Sequence, residues 1–222
     1  YIGHKPVEDL TPEQLEIDVT NRMIARGALE SARRVKSIMG LILQRALKLR
    51  IISYNPACDI TIPLPTKGNF NAIVDELELQ GLLLKIWSYC SNHPRARKKT
   101  ELLIKLSAYT FQRPGELREL RWESVNFENQ CLTFKANKTN KDHIVPLCRQ
   151  TYDILKELEL MRTTSEYVFP SIKSNLECLS TDTVRQALIR LGFKGKHTQH
   201  GFRATARTIL GEQIEYRLDI VE

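Results

Sequence analysis

The chain has 222 residues, 42% of them hydrophobic, with 33 Lys and Arg against 26 Asp and Glu for a net charge of +7. That length and apolar share support one large or two modest packed domains and exclude a disordered chain, while the basic surplus favours a polyanionic partner. No apolar run approaches the roughly 18 residues of a membrane span, and the start YIGHKPVEDL has no signal-peptide pattern. Five cysteines are scattered without a CxxC pair, so neither a disulfide frame nor a zinc site is expected. A cytoplasmic protein with reduced cysteines is expected, and an anionic membrane surface stays open as the polyanion at this point.

TPEQ, residues 11–14, reads as a helix start with Thr11 as N-cap, Pro12 at the first helical position and Gln14 closing a capping box. Leu15, Val19 and Met23 then form a core-facing stripe that Gly27 ends. A longer helix is predicted over about 29–52, with Val35, Ile38, Met39, Ile42, Leu43, Ala46 and Leu47 on its apolar side. Its other side carries Arg33, Arg34, Lys36, Arg45, Lys48 and Arg50 against Glu30 alone, which is either a solvated face or one that grips a polyanion. YNPACDITIPLPTKGNF, with Pro56, Pro63, Pro65 and Gly68, breaks helices and marks a linker between domains 1–67 and 68–222. Two helices alone rarely make a stable core, so the first domain is expected to be incomplete on its N-terminal side.

Beyond the linker, helical periodicity covers about 74–89 and 98–111, and RPGE opens a short further helix. QCLTFKA and HIVPL are β-leaning runs joined by the polar NKTNKD, a hairpin with a lysine-rich turn. Helices return at RQTYDILKELELM, STDTVRQALIRL and HTQHGFRATARTIL. The fold class is therefore mainly α with a small antiparallel β-sheet.

Three places could carry chemistry. On a helix through HTQHGFRATARTIL, His200, Arg203 and Arg207 share one face while Phe202, Ala206 and Ile209 occupy the opposite one, so a rigid element holds the polar trio. From Thr183 to Gly211 there are six Lys or Arg and no acid, and an Arg without a carboxylate suits a phosphate. Arg113 sits where RPGE starts a helix, with Glu116 three residues on to hold its guanidinium. The hairpin turn offers Lys138 and Lys141. Each alone also reads as ordinary surface: a solvated basic helix, a common turn-to-helix signature, an exposed polar turn. Their order within one basic domain is what favours a joint site.

RPGELRELRW, KTNKDHIVPL and HGFRATARTIL, in that order, resemble the first-arginine, β-hairpin lysine and His-x-x-Arg motifs of the tyrosine recombinases, the phage integrase family, close to their form in integrases of satellite phages and genomic islands. The front segment through GALESARRVKSIMGLILQRALKLRIISYNPACDI resembles the helical core-binding domain of the same proteins, so the likeness spans nearly the whole chain. The resemblance implies site-specific DNA cleavage and rejoining through a 3′-phosphotyrosyl intermediate, without metal or other cofactor, on double-stranded DNA and with self-assembly on it, in a bacterial cytoplasm. It implies that Arg113 and Arg203 bind the non-bridging oxygens, that Lys138 protonates the departing 5′-oxygen and that His200 acts in proton transfer. Glu116 would orient Arg113. Arg207, Lys141 and the basic residues Arg33, Arg34, Lys36, Arg45 and Lys48 would contact DNA, the helix over 29–52 lying against one DNA face and the second domain against the other. His197 has no place in that site.

The family's nucleophilic tyrosine lies roughly thirty residues past the second arginine. Glu222 is 19 residues past Arg203, and Tyr216, 13 past it, has the wrong spacing. A fragment that stops before the nucleophile, and that also lacks an arm-binding domain, is expected. The other readings are a catalytically inactive DNA-binding regulator or excision accessory protein of the same fold and, less compatible with the paired basic regions, an RNA-binding protein. The expected outcome is that these 222 residues bind duplex DNA without attaching to it. Incubation with a nicked recombination-site duplex, followed by denaturing electrophoresis, checks this, and a covalent protein–DNA band would contradict it.

Overall fold

The computed structural model describes residues 2–63, 71–93, 97–135 and 142–213. Lys138, Lys141, Pro65, Gly68 and Tyr216 lie outside them. The chain divides into two compact units, Tyr1–Gly68 and Asn69–Glu222.

In the first unit Thr11 caps helix α1, Pro12–Leu15, its hydroxyl accepting the Gln14 N–H at 3.3 Å. The capping box is only half made, because Gln14 Oε1 is buried without a hydrogen-bond partner among the described residues. The ladder then widens into a π turn, Glu16–Thr20, before resuming as α2, Asn21–Ala25. A π turn inserts an extra residue and so rotates the next turns of the helix about its axis. The regular stripe is therefore interrupted: Leu15 and Thr20 are buried, whereas Val19 and Met23 are only half-buried.

Helix α3, Leu29–Lys48, ends four residues earlier than its periodicity suggests. Arg50 takes the left-handed conformation, φ 59°, and the N–H groups of Arg50 and Ile51 bond back to Leu47 and Ala46, closing the last turn. Its buried face is Ala32, Leu43 and Ala46. Ile38 and Ile42 do not join that face; they are 50% and 60% exposed. At about 100° per residue Ala32, Leu43 and Ala46 point one way, Leu41, Arg45 and Ile38 away from them, and Ile42 lies at the edge between the two groups. Arg33 and Lys36 lie to the flank, so the basic residues form two groups rather than one side.

Part of the stretch expected as linker is core. Asn55 accepts the Ala57 N–H at 3.1 Å and donates to the Gly40 carbonyl at 3.0 Å, which pins the turn Pro56–Cys58 onto α3. Ala57 and Ile60 then pack with Leu15 and Leu43.

The second unit is built around one helix. Helices α4, Glu76–Trp87, and α5, Tyr89–Asn92, precede α6, Lys98–Thr110, which buries Thr100, Glu101, Leu102, Leu103, Ile104, Leu106, Ser107 and Thr110 around its full circumference. A helix buried on all sides belongs inside a core, and its polar side chains there must find partners. Packed with it are α7, Pro114–Arg118, α8, Arg149–Leu160, α9, Thr183–Arg190, and α10, Gly201–Thr208, followed by a π turn Ile209–Gln213. Strands β1, Val125–Asn126, β2, Cys131–Lys135, and β3, Asp142–Pro146, form an antiparallel sheet in that order, with Leu132 opposite Val145 and Phe134 opposite His143. Leu132, Phe134 and Val145 face the core while Ile144 is exposed, the alternation of a one-sided sheet. The fold is mainly α with a small antiparallel β-sheet, as the sequence predicts. Two-residue β1 is the added strand.

One charge is built into this core. Glu101 accepts hydrogen bonds from Lys105 Nζ at 2.7 Å, from Lys98 Nζ at 3.1 Å and from the Cys90 N–H at 2.8 Å. Burial alone would raise its pKa, but these donors outweigh it and hold the carboxyl at about 2. Since the folded value lies below the unfolded one, the stabilisation is complete above about pH 4.5 and fades as pH falls toward 2. Glu101→Ala, which strands Lys105, is expected to cost about 3–5 kcal/mol at pH 7. Urea unfolding of both proteins at pH 7 and pH 3 checks this, and the gap between them should narrow at the lower pH.

Candidate active site

The site is assembled at the C-terminal end of α6. Phe111 ends that helix in the left-handed conformation, φ 54°, and Gln112, buried, donates from Nε2 to the Thr110 carbonyl at 3.1 Å. Arg113 follows as the N-cap of α7, with Pro114 at the first helical position. The Glu116 carboxylate accepts both the Arg113 backbone N–H at 3.2 Å and its Nη1 at 2.9 Å. One carboxylate thus holds both the backbone and the side chain of the arginine. The Arg113 side chain is 63% exposed, so the guanidinium is presented to solvent with donors to spare for an anion.

Helix α10 is fixed to the same place. Arg203 Nη1 donates to the Phe111 carbonyl at 3.4 Å, on the turn that carries Arg113. Gln199 Nε2 donates to Ser107 Oγ at 2.9 Å, and Ser107 donates in turn to Leu103 O at 2.7 Å within α6. His200 is the exposed N-cap residue of α10, one turn before Arg203. Arg207 is exposed one turn further on, and Phe202, Thr205 and Ala206 are buried beneath. The structure therefore brings Arg113, Glu116 and Arg203 to one turn, with His200 on the helix start beside it. Lys138 and Lys141 fall between β2 and β3 in the sequence, outside the described residues.

A second set of bonds holds α10 against the segment before α4. Thr198 N–H donates to Asn71 O at 3.1 Å, His197 Nδ1 accepts the Ile73 N–H at 3.1 Å, and Thr205 Oγ1 donates to Ile73 O at 2.7 Å. His197 is buried against the Phe202 ring, and burial lowers its pKa to about 4. It is neutral at pH 7, a packing residue outside the site. The supports Ser107, Asn71, Ile73 and Thr205 were not legible in the sequence. Gly201 carried a signal: glycine is a poor helix former, and in a first turn it points to a close backbone approach. A Cβ there would lie 2.7 Å from Asn71 O.

Comparison with known proteins decides the family. The phage integrase family profile matches residues 82–217, and the phage integrase central domain profile matches residues 1–62. The chain belongs to the phage integrase family. Among relatives, the integrase of Shigella phage Sf6 is 29% identical over 227 residues, covering all of this chain and 57% of that protein. Prophage integrase IntS of Escherichia coli is likewise 29% identical over 227 residues, with the same coverage. The chain thus spans a little over half the length of these curated relatives. In fold it matches a lambda integrase (residues 75–356) dimer bound to a COC′ core site, with TM-score 0.72, 20% identity, and coverage of 97% of this chain and 78% of that one. The Tn1549 transposon integrase in complex with circular intermediate DNA matches with TM-score 0.69 at 16% identity, covering 99% of this chain and 79% of that one. The integrase fold therefore accounts for both units. Among the described residues no helix is long and apolar enough to cross a membrane.

Gly201→Ala, which drives a methyl group into a backbone carbonyl, is expected to destabilise the chain by about 1–3 kcal/mol. Gly81→Ala is the control: it sits inside α4 with nothing within 4 Å of an added Cβ, and it should stabilise by about 0.5–1 kcal/mol. Thermal and urea unfolding of the two variants should move in opposite directions.

Proposed function

We propose that the chain is the DNA-binding and phosphate-activating part of a site-specific recombinase that cleaves and rejoins duplex DNA through a 3′-phosphotyrosyl intermediate, integrating or excising a mobile element in a bacterial cytoplasm. The observation that carries this reading is the bond from Arg203 to the Phe111 carbonyl, which brings an arginine from α10 to the turn presenting Arg113. Two guanidinium groups converging at one turn suit the two non-bridging oxygens of a phosphodiester. Membership of the integrase family, with relatives named integrases and fold neighbours solved on DNA, supports the same chemistry.

In this reading a tyrosine hydroxyl attacks the scissile phosphorus and the bond to the 5′-oxygen breaks. Arg113 and Arg203 stabilise the charge that builds on the non-bridging oxygens, a contribution to which preorganised donors are suited. Glu116 keeps Arg113 in position. Lys138 gives its proton to the departing 5′-oxygen, and His200 serves proton transfer at the attacking or a non-bridging oxygen. The phosphotyrosyl ester retains the energy of the diester, so attack by the partner strand's 5′-hydroxyl reverses the step without a nucleotide.

The first unit would serve as a core-type DNA-binding domain over residues 1–67, and residues 68–222 as the catalytic domain. Arg33, Arg34 and Lys36 line an open recess with Glu30, Ser37 and Ile62, a net positive place for backbone phosphates. Arg45 and Lys48, which the sequence groups with them, lie among exposed apolar side chains and suit DNA less well. Arg207 and Lys141 would add phosphate contacts in the second unit. A duplex as partner, with several copies on it, is supported by fold neighbours solved as a dimer on a core site and a tetramer on a Holliday junction.

The rejoining half-reaction tests the chemistry without the nucleophile. A duplex selected for binding from a random pool would carry a 3′-p-nitrophenyl phosphate at a nick facing a 5′-hydroxyl. The 222-residue chain should join the strands with release of nitrophenol, and Arg113→Ala or Arg203→Ala should slow joining by about 10²–10³-fold. Duplex binding should fall steeply with salt, and Arg33→Ala or Lys36→Ala should each reduce the log–log slope by about one. Binding without any joining would identify an inactive DNA-binding protein instead.

A further inference from the structure

A hydroxyl inside a helix ordinarily bonds back to the carbonyl four residues earlier. Ser107 and Thr110 do so in α6, to Leu103 at 2.7 Å and Leu106 at 2.8 Å. Thr205 does not. Its hydroxyl leaves α10 and donates at 2.7 Å to the carbonyl of Ile73, 132 positions earlier in the chain. Both residues are buried, and the Ile73 N–H goes to His197 Nδ1 at 3.1 Å, so side chains from either end of the α10 segment take both polar groups of one backbone residue.

Thr205 lies two residues past Arg203, about 200° around the helix, so it grips the core from the far side of the arginine. Its buried neighbours Phe202 and Ala206 are apolar, and apolar contact is non-directional. It resists withdrawal of the helix but does little to stop the helix turning about its own axis. Gln199, through Ser107, holds only the start. The bond from Arg203 to the Phe111 carbonyl is 3.4 Å long, beyond the common length of about 2.9–3.0 Å, and one such bond orients a guanidinium rather than a helix. A turn of about 10° moves a side-chain tip about 6 Å from the axis by about 1 Å, and a misplacement of that size can cost about 10²-fold in rate. We infer that Thr205 is a positioning residue: its bond to Ile73 sets the rotation of α10, and so where Arg203 and His200 present themselves to the scissile phosphate. Thr205 itself touches no reacting atom. The kinetic consequence rests on the proposed phosphate chemistry, whereas the placement of Arg203 is readable without any reaction.

Three variants of the 222-residue chain test this. Thr205→Val keeps the side-chain shape and removes the hydroxyl, Thr205→Ser keeps the hydroxyl, and Leu158→Ala, a buried deletion on α8, controls for lost stability alone. Each is assayed below its own unfolding transition, in single turnover on the nicked duplex with the 3′-p-nitrophenyl phosphate. At saturating duplex Thr205→Val should slow joining by about 10–10²-fold with duplex affinity within about twofold of wild type, while Thr205→Ser and Leu158→Ala should join within about threefold of the wild-type rate. In isotope-labelled protein without DNA, the Arg203 Nε–H resonance, identified by its loss in Arg203→Lys, should move in Thr205→Val and stay in place in Thr205→Ser and Leu158→Ala. Joining by Thr205→Val at the wild-type rate, a loss of duplex affinity that accounts for its slower joining, or an Arg203 resonance displaced as far by Leu158→Ala overturns the proposal. If wild type and Arg113→Ala are equally inert in joining, it is the phosphate chemistry that fails, and the resonance alone then decides whether Thr205 places Arg203.

Discussion

Burial of α6 around its whole circumference is the constraint on which the second unit depends. A helix with only one buried stripe can tilt or slide over its neighbours, but one enclosed on every side has no such freedom at native packing density. Its C-terminal end is therefore a fixed point. Phe111, whose carbonyl receives Arg203, and Arg113, the next N-cap, both lie within three residues of that end. Ser107 adds a third reference from inside the helix through Gln199. The candidate site is in this sense an extension of the core, and its arginines inherit their placement from side chains that never meet a ligand.

Enclosing α6 raises the question of how a carboxylate is tolerated within it. Glu101 is accommodated because two ammonium groups and a backbone N–H reach it at once. Buried ion pairs contribute little net stability against an apolar replacement, yet they are severely disrupted when one partner is lost. Lys98 also reaches Glu157 on α8 at 3.3 Å, so the same cluster joins two helices. Glu101 thereby relates helix positions to one another through directional bonds that an apolar residue could not make.

Much of this was legible in the sequence, for identifiable reasons. Long elements with a clear period or a strong cap appeared where expected: α6, α8 and the paired strands β2 and β3; α10 begins at Gly201, four residues later than the predicted helix. Arg113 with Glu116 was legible because the pair is local, three residues apart. Non-local features were not. Nothing in the sequence joins Thr205 to Ile73 or Gln199 to Ser107, since those bonds depend on how distant segments pack. The first unit shows the reverse error. The periodicity of α3 places Ile38 and Ile42 on an apolar face correctly as a pattern, but a wide apolar stripe does not say which part of it a small core can cover. The π turn at Glu16–Thr20 defeats the pattern differently, because an extra residue shifts the period without altering any composition.

The two histidines of the His-x-x-His segment show how placement divides one residue type between two roles. His197 accepts a backbone N–H on Nδ1, packs on Phe202 and is held near pKa 4 by burial, so at neutral pH it is uncharged with its Nδ1 lone pair already engaged. Protonating it would put an uncompensated charge into the core, which is why its contribution to stability falls as pH drops below about 6.5. His200, three residues later, is exposed at the start of α10 beside Arg203. A proton-transfer group must be reachable from outside the core, and of these two only His200 is exposed. The buried histidine in turn fixes the segment from which the exposed one projects, since Gly201 packs against the His197 ring at a distance that leaves no room for a side chain. The exposed histidine and its support are thus separate residues, and the glycine that follows the exposed one sets how closely they can be joined.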